Sequence, residues 1–202
     1  MALKSHFSEK PLLECGCDEV GRGCLAGPVC AAAVIFPYDY VNAEINDSKQ
    51  LTAAKREQLR QIIERDAVAY AVVEISERKI DEINILNASI LGMNEAVGKL
   101  SVKPEFLLID GNKFKDQWQI PYQCVVKGDA TYLSIAAASI LAKTYRNDYM
   151  NALHKEFPHY DWDKNKGYPT KAHREAIAQH GTTPYHRLTF NLLGDGQLSL
   201  PF

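Results

Sequence analysis

The fold is decided near the start of the chain by the stretch Leu12-Leu13-Glu14-Cys15-Gly16-Cys17-Asp18-Glu19-Val20-Gly21-Arg22-Gly23. Residues 12–17 have the composition of a strand, and two carboxylates follow at its end. Such a pair is costly to desolvate unless a cation neutralises it. The glycines around Arg22 let bare backbone approach a ligand, because glycine has no Cβ and tolerates positive φ. The stretch therefore predicts a metal site beside a phosphate or a sugar.

Composition fits one globular domain, or one domain with a small appendage: of 202 residues, 46% are hydrophobic and 24% charged. The first residues lack a signal-peptide core, and no segment reaches the roughly 18 apolar residues that span a bilayer. We therefore expect a cytoplasmic protein. The formal charge of −2 argues against indiscriminate nucleic-acid binding. Residues 143–187, however, hold eight Lys or Arg against five Asp or Glu, and this local positive surplus could face phosphates.

Four of the five cysteines lie in or beside apolar segments, as reduced buried thiols do. The cysteines are Cys15, Cys17, Cys24, Cys30 and Cys124. A zinc site built from the first four is disfavoured, because their spacing lacks the paired C-x2-C arrangement of structural zinc sites. Cys15 and Cys17 would face one side of a strand, where core packing accounts for both.

Periodicity and composition predict an α/β fold with a mixed sheet. Strands are expected at residues 12–17, 28–36, 67–75, 106–109 and 123–126. Helices are expected at residues 51–66, 83–100, 132–157 and 170–179, the first beginning near Thr52. The short link between the first two strands favours an antiparallel hairpin, whereas a helix followed by a wholly apolar strand indicates a parallel crossover. Helices should flank this sheet, with a small helical cap at about residues 158–190.

Acidic residues end two of these strands and precede one helix. Asp18 ends the first strand and Asp110 the central apolar strand, so they would face one crevice if those strands are neighbours. Asp18 and Glu19 would point to opposite faces of a regular strand, so we expect the strand to stop there. Asp129, before the alanine-rich helix, is a fourth candidate at the same rim, although an Asp at a helix start is most often an N-cap.

Four carboxylates without a histidine partner suit Mg²⁺ or Mn²⁺ rather than Zn²⁺. Two such ions roughly 3.5–4 Å apart can activate a water and stabilise the leaving oxygen of a phosphodiester. Paired carboxylates also hydrolyse glycosides, with one acid kept protonated. The surrounding basic residues and the turn at Arg22 favour phosphate over sugar. The histidines are left out of the predicted site, because a lone histidine is more often structural or exposed.

Six blocks, in order along the chain, resemble those of the type 2 ribonucleases H. They are Cys17-Asp18-Glu19-Val20-Gly21-Arg22-Gly23-Cys24-Leu25-Ala26-Gly27-Pro28-Val29, Asn46-Asp47-Ser48-Lys49-Gln50-Leu51, Leu108-Ile109-Asp110-Gly111-Asn112, Lys127-Gly128-Asp129, Ser134-Ile135-Ala136-Ala137-Ala138-Ser139-Ile140-Leu141-Ala142-Lys143 and Lys166-Gly167-Tyr168-Pro169-Thr170. The resemblance runs from about residue 12 to 190. It departs from the family pattern at Asn147, where an aspartate is expected, and at Tyr185-His186-Arg187-Leu188.

The resemblance implies a ribonuclease H fold and a metal-dependent endoribonuclease. Its substrates would be RNA in RNA/DNA hybrids and single ribonucleotides embedded in duplex DNA. Cleavage on the 5′ side of the ribonucleotide would leave 3′-hydroxyl and 5′-phosphate ends. The residues that match the family's catalytic acids, and would hold Mg²⁺ or Mn²⁺ in a two-ion site, are Asp18, Glu19, Asp110 and Asp129.

By the same comparison, a turn and an aromatic residue recognise the substrate's sugars. Gly21, Arg22 and Gly23 resemble the turn that senses the ribose 2′-hydroxyl, and Tyr168 matches the residue that stacks on the adjoining deoxyribose. The division is physically sensible, because only the 2′-hydroxyl distinguishes RNA from DNA locally and glycine backbone can approach it closely. For Tyr168 taken alone, core or surface packing is the alternative.

Two further groups are predicted to contact the substrate's backbone. Ser48 and Lys49 are interpreted as phosphate contacts. Ser139, Lys143 and Arg146 recur at spacings of four and three on one helix face, as a strip that follows a nucleic-acid backbone would. For Lys143 and Arg146, a solvated helix face is the alternative.

Residues 191–202 are expected to form a tail after the catalytic domain at 1–190. The last six residues resemble the peptide by which bacterial replication and repair proteins dock on the DNA sliding clamp. Its anchors would be Gln197, Leu198, Leu200 and Phe202. Packing of the tail on the domain is the alternative.

We expect a monomer, and two other functions stay open. One is a nuclease related to the type 3 ribonucleases H. The other is a hybrid-binding adaptor that has lost catalysis, against which the presence of all four acids counts.

Overall fold

Strand β1 lies at the centre of a five-stranded sheet in the computed structural model, which describes residues 3–194. The strands are β1 (Glu14–Val20), β2 (Val29–Ile35), β3 (Ala69–Ile75), β4 (Phe106–Asp110) and β5 (Tyr122–Val125), in the spatial order β3-β2-β1-β4-β5. The first three pair antiparallel, whereas β4 runs parallel to β1 and β5 parallel to β4. This confirms the predicted mixed sheet. The predicted clamp-binding peptide, residues 197–202, lies outside the described residues.

Helices cover both faces of the sheet. They are α1 (Ala53–Asp66), α2 (Glu77–Ile83), α3 (Ile85–Gly98), α4 (Leu133–Glu156), α5 (Trp162–Asn165) and α6 (Lys171–His180). Helix α3 packs with one face of the sheet, which carries Cys15, Cys17 and Ile109. Helices α1 and α4 share the other core, with Ala32 and Val34 of β2. Alternate residues of each central strand therefore enter separate hydrophobic cores, as the period-two geometry of a strand requires.

The helix predicted at residues 83–100 is confirmed as α3, which begins two residues later at Ile85, but a short helix before it, α2, was not predicted, and the two meet at Asn84. Asn84 has a φ of 66° and ends α2, while its side-chain oxygen accepts a hydrogen bond from the Asn87 backbone N–H at 3.1 Å. A positive φ interrupts helical hydrogen bonding, and Asn tolerates it better than most residues. The start of α2 carries a local signal, because Ser76 is its N-cap and accepts from the Lys79 N–H.

Helix α4 lies close to β1, as its small residues predicted. A Cβ added to Gly16 would lie 2.3 Å from the carbonyl carbon of Ser134 and 2.4 Å from the backbone N of Ile135. Only a residue without a side chain therefore lets the helix backbone approach the strand. The alanines at 136–138 are fully buried in the same contact region.

The predicted C-terminal cap is confirmed as a separate hydrophobic cluster around α5 and α6. Trp162 and Tyr160 stack in it with ring centroids 4.9 Å apart. His173 and His186 are buried beside them, and the indole Nε1–H of Trp162 donates to His173 Nε2 at 3.0 Å. Both imidazole rings therefore lie in the interior of the cap, and their omission from the predicted site stays a prediction.

The cysteine thiols are free, and all except Cys124 are buried. Cys15 and Cys17 face the same core, with their sulfur atoms 3.8 Å apart. Core packing thus accounts for the C-x-C pair, as predicted. Within residues 3–194, no helix is both long enough and apolar enough to cross a bilayer.

Candidate active site

Two adjacent acids, Asp18 and Glu19, lie near the end of β1. The predicted stop at Asp18 is wrong, because β1 continues to Val20 and pairs with β2 over its whole remaining length. The pairing of β1 with β4 ends earlier, at Cys17 opposite Ile109. Asp18 and Glu19 therefore project from opposite faces of a strand that runs past the end of its neighbour, where both are close enough to interact with Asp110.

The other two acids come from β4 and the turn after β5. Asp110 ends β4, and its Oδ1 accepts a hydrogen bond from the Gly128 N–H at 2.7 Å. Asp129 follows in the 3₁₀ helix Gly128–Ala130, while the N-cap of α4 is Tyr132. The N-cap interpretation of Asp129 is therefore wrong. The parallel β1–β4–β5 pairing brings these acids to the same edge as Asp18.

Burial and mutual repulsion raise the pKa values of three of the acids. Burial raises the pKa of Asp18 well above its usual range, and the charges of Glu19 and Asp110 raise it further. Burial also raises the pKa of Glu19, which the Arg22 guanidinium opposes, and that of Asp110, where Asp129 adds repulsion. A cluster that disfavours its own negative charge in this way is suited to a cation.

Other groups engage these carboxylates in the described conformation. Lys49 Nζ donates to Asp129 Oδ2 at 2.8 Å, and Arg22 Nη1 to Glu19 Oε1 at 3.0 Å. Over residues 3–194, no three His, Cys, Asp or Glu side chains are grouped tightly enough to hold one ion. The acids thus lie near one another, and two of them, Glu19 and Asp129, are paired with cationic side chains.

The glycines on either side of Arg22 have different surroundings. Gly21 has a φ of +92°, and an added Cβ would lie 2.3 Å from Nε of Arg146. Gly23 is exposed, and a Cβ added there would meet no described atom within 4 Å. The fold therefore requires glycine at 21, whereas the space at 23 is open to a ligand.

A basic groove of about 440 Å³ lies on the α4 side of the acids. Its polar lining includes Lys49, Arg56, Lys143, Lys164, Lys166 and Tyr168. Burial lowers the pKa of the Lys143 ammonium, and the charges of Arg56 and Lys49 lower it further. Several cations that repel one another in a shared groove provide a favourable site for a phosphate.

Three predicted backbone contacts, Ser48, Ser139 and Arg146, are buried. Ser48 is fully buried, and its hydroxyl pairs with that of Ser139 at 2.9 Å. Lys143 Nζ donates to the same Ser48 oxygen at 3.0 Å. In this conformation the Ser48 hydroxyl thus connects Ser139 to Lys143, and the direct phosphate contacts of both serines stay predictions. Arg146 also lines the groove, but it is buried and its guanidinium donates to backbone carbonyls, so the alternative of a solvated helix face is wrong for this residue.

Sequence analysis missed three members of the basic groove. Arg56 lies on α1 and donates to the Ser48 and Leu51 carbonyls. Lys164 lies in α5 of the cap, and Lys166, which has a left-handed backbone conformation, ends that helix two residues before Tyr168. The local positive surplus included both lysines but could not single them out, whereas Arg56 carried no local signal.

Comparison with known proteins agrees with this geometry. The family model described as Ribonuclease HII matches residues 15–193. The chain belongs to the ribonuclease HII family. A ribonuclease HII from Bacteroides thetaiotaomicron is 66% identical over 97% of this chain and 98% of its own length. Membership at this identity shows that the chain is a ribonuclease H.

Solved structures of ribonucleases HII and H2 share the fold. The ribonuclease H2 of Pyrococcus horikoshii OT3 superposes with a TM-score of 0.76 at 24% identity, covering 89% of this chain and 94% of its own. The ribonuclease HII of Archaeoglobus fulgidus, solved in a complex with PCNA, gives 0.72 at 25% identity, covering 89% and 95%. These likenesses confirm a ribonuclease H-like sheet flanked by helices.

Proposed function

We propose that this ribonuclease H is a metal-dependent endonuclease that cleaves RNA in RNA/DNA hybrids and on the 5′ side of single ribonucleotides in duplex DNA. One observation carries the proposal: three mutually repelling carboxylates meet, at one edge of the sheet, an open glycine turn and the basic groove. Family membership supports it. The products would carry 3′-hydroxyl and 5′-phosphate ends.

The carboxylates would hold Mg²⁺ or Mn²⁺, because hard oxygen donors suit these ions. The residues proposed as ligands are Asp18, Glu19, Asp110 and Asp129. Two bound ions would supply an activated water and stabilise the leaving oxygen. Lys49 and Arg22 would exchange their carboxylate partners for substrate phosphates.

Selection of the ribonucleotide would depend on residues 21–23 and Tyr168. Gly23 leaves space for a sugar, and Tyr168, with 43% of its surface exposed, offers a face to the next sugar. Lys143 would contact the strand's phosphates from the position that Ser48 and Ser139 give it. Only the 2′-hydroxyl marks the ribonucleotide, so close backbone approach gives the discrimination.

The deciding experiment is cleavage of a DNA duplex that contains one ribonucleotide. We expect cutting 5′ of the ribonucleotide with Mg²⁺ or Mn²⁺, and a loss of about 100-fold or more in Asp110→Asn, the scale on which one lost electrostatic contact to a transition state acts. The matched control is Asp39→Asn, at an exposed aspartate away from the site. Undiminished cutting by Asp110→Asn would reject the ligand assignment.

The same substrate separates the alternatives. A type 3-like nuclease would require a longer RNA tract, and an inactive adaptor would bind the duplex without cutting it. Binding with no cleavage by wild type, in either metal, would therefore favour the adaptor.

We also propose that the chain ends in a tail whose last six residues, 197–202, bind the DNA sliding clamp; Leu192, near the predicted start of this tail at residue 191, is buried in the cap cluster. The complex of the Archaeoglobus relative with PCNA supports this partner class. Equal clamp affinity before and after deletion of residues 197–202 would reject it. The free thiols support a cytoplasmic setting, and we propose a monomer, which sedimentation can test.

A further inference from the structure

Two arginines, Arg146 and Arg187, are almost completely inaccessible: 2% and 0% of their surfaces are exposed. In the described part of the chain, neither forms an ion pair with a carboxylate. Burying an unpaired charge is costly unless its hydrogen bonds are satisfied. Here the guanidinium groups donate to backbone carbonyls.

The carbonyls belong to the segment that contains the ribose-sensing turn. Arg187 donates from Nη1 to the Arg22 carbonyl at 2.9 Å, and from Nε and Nη2 to that of Gly27 at 3.0 and 2.7 Å. Arg146 donates from Nη2 to the Ala26 carbonyl at 2.9 Å and from Nε to that of Pro28 at 2.8 Å. Together the two buried side chains donate hydrogen bonds to four backbone carbonyls of residues 22–28, those of residues 22, 26, 27 and 28.

Arg146 also connects this segment to the one that carries Tyr168. Its Nη1 donates to the Lys166 carbonyl at 2.7 Å, two residues before Tyr168. A backbone hydrogen bond from the Leu25 N–H to the Gly167 carbonyl, at 2.8 Å, lies parallel to this bridge. The segments that carry the proposed sensor of the 2′-hydroxyl and the proposed stacking residue are thus joined by the Arg146 guanidinium and by this backbone hydrogen bond.

We propose that Arg146 and Arg187 are positioning residues which set the distance between the 21–23 turn and Tyr168, and that selectivity for a ribonucleotide depends on both guanidinium groups. The inference rests on the proposed function. Lysine would keep the charge but lose the planar fork that reaches two or three carbonyls at once. Burial lowers the pKa of Arg187 to about 10, because desolvation disfavours the charged guanidinium.

The test compares binding of two duplexes, one with a single ribonucleotide and one of DNA alone. Arg146→Lys and Arg187→Lys would each be made in the Asp110→Asn protein, which prevents cleavage. We expect the ratio of the two dissociation constants to fall at least about 10-fold towards 1 in both, since misplaced groups no longer read the 2′-hydroxyl. Partial unfolding alone would weaken both affinities and leave their ratio unchanged.

Arg174→Lys is the matched control, because Arg174 also donates to two backbone carbonyls, those of Asn191 and Leu192, which belong to neither the 22–28 segment nor the one that carries Tyr168. Its ratio should equal that of the parent. If the Asp110→Asn protein prefers the ribonucleotide-containing duplex and both lysine variants keep that preference, the inference is overturned while the proposed function stands. A parent ratio of 1 would overturn the proposed function as well.

If a lysine variant does not fold, native-state hydrogen exchange of the wild-type protein tests the inference instead. In the wild type, the Leu25 and Gly27 amides donate to the Gly167 and Tyr185 carbonyls and should be protected nearly as well as β1. Exchange of these amides at the rate of an unstructured peptide would overturn the rigid frame.

Discussion

Gly21 and Gly23 are two residues apart and identical in type, yet the fold constrains only one of them. Gly21 combines a positive φ with direct contact to Arg146, whereas Gly23 has an ordinary φ and free space. A side chain at 21 must therefore displace a buried guanidinium, and a side chain at 23 meets only what binds there. Their substitution separates folding from substrate binding.

We predict that Gly21→Ala lowers the free energy of unfolding by about 2–3 kcal/mol, through backbone strain and overpacking. Gly23→Ala should change it by less than about 0.5 kcal/mol but reduce cleavage of the single-ribonucleotide duplex about 10-fold or more, because the methyl group would occupy the approach to the sugar. Urea unfolding and initial rates measure the two effects. Full activity in Gly23→Ala would contradict the proposed role of the turn.

Lys49 pairs with the buried Asp129 although its own side chain is 71% exposed. We predict that Lys49→Met lowers the Tm without divalent metal by about 2–4 °C, since Asp129 loses its partner. Added Mn²⁺ should then raise the Tm more in the variant than in wild type, because no ammonium competes for the carboxylate. Calorimetry with and without Mn²⁺ measures both changes.

Lys79→Met is the control for this prediction, because its ion pair with Glu82 lies on the surface. Equal Mn²⁺ shifts in Lys49→Met and wild type would show that Asp129 does not bind the ion.

At the scale of elements, the ends of strands and helices decide where the site residues lie. β4 ends at Asp110, opposite Asp18, while β1 continues for two more residues, and this offset brings Asp18, Glu19 and Asp110 together at one edge. The break between α2 and α3 is equally local. Asn84 combines a φ of 66° with a ψ of 164°, a conformation that glycine adopts most readily.

We predict that Asn84→Ala lowers the free energy of unfolding by about 1–2 kcal/mol, because it removes the cap and keeps the backbone strain. Asn84→Gly should exceed Asn84→Ala in stability by about 1 kcal/mol, since glycine relieves that strain. Urea denaturation of the two variants beside wild type gives the comparison. Equal stability of the alanine and glycine variants would mean that the positive φ costs nothing.

At the scale of the whole molecule, buried histidines in the cap and buried acids in the site change the free energy of unfolding with pH in opposite directions. Burial lowers the pKa of His186 to about 4, and His173 adds to the effect. His186 therefore contributes stability that is complete above its unfolded pKa, about 6.5, and is lost as the pH falls towards 4. The raised pKa values of Asp18, Glu19 and Asp110 act oppositely, because folding favours their protonation at lower pH.

Between pH 7 and pH 4, we predict that the free energy of unfolding falls less in a variant without His186 than in the wild type, by on the order of 3 kcal/mol. Urea unfolding of His186→Gln and wild type at several pH values isolates this contribution, because the acids act equally in both. The exposed His180 supplies the control His180→Gln. The same pH dependence in wild type and His186→Gln would contradict the prediction.

The sequence by itself determined the mixed sheet, the hairpin start, the cap and the family, because strand and helix periodicity and ordered motif blocks are local. It also named the four acids and the turn at residues 21–23. Only the tertiary structure decided that Gly21 is required by Arg146, that Ser48 and Arg146 are buried, and that Arg56 joins the basic groove. Burial and hydrogen-bond partners arise from segments distant in the chain, so the same residue type can contact a ligand or support the backbone beneath it.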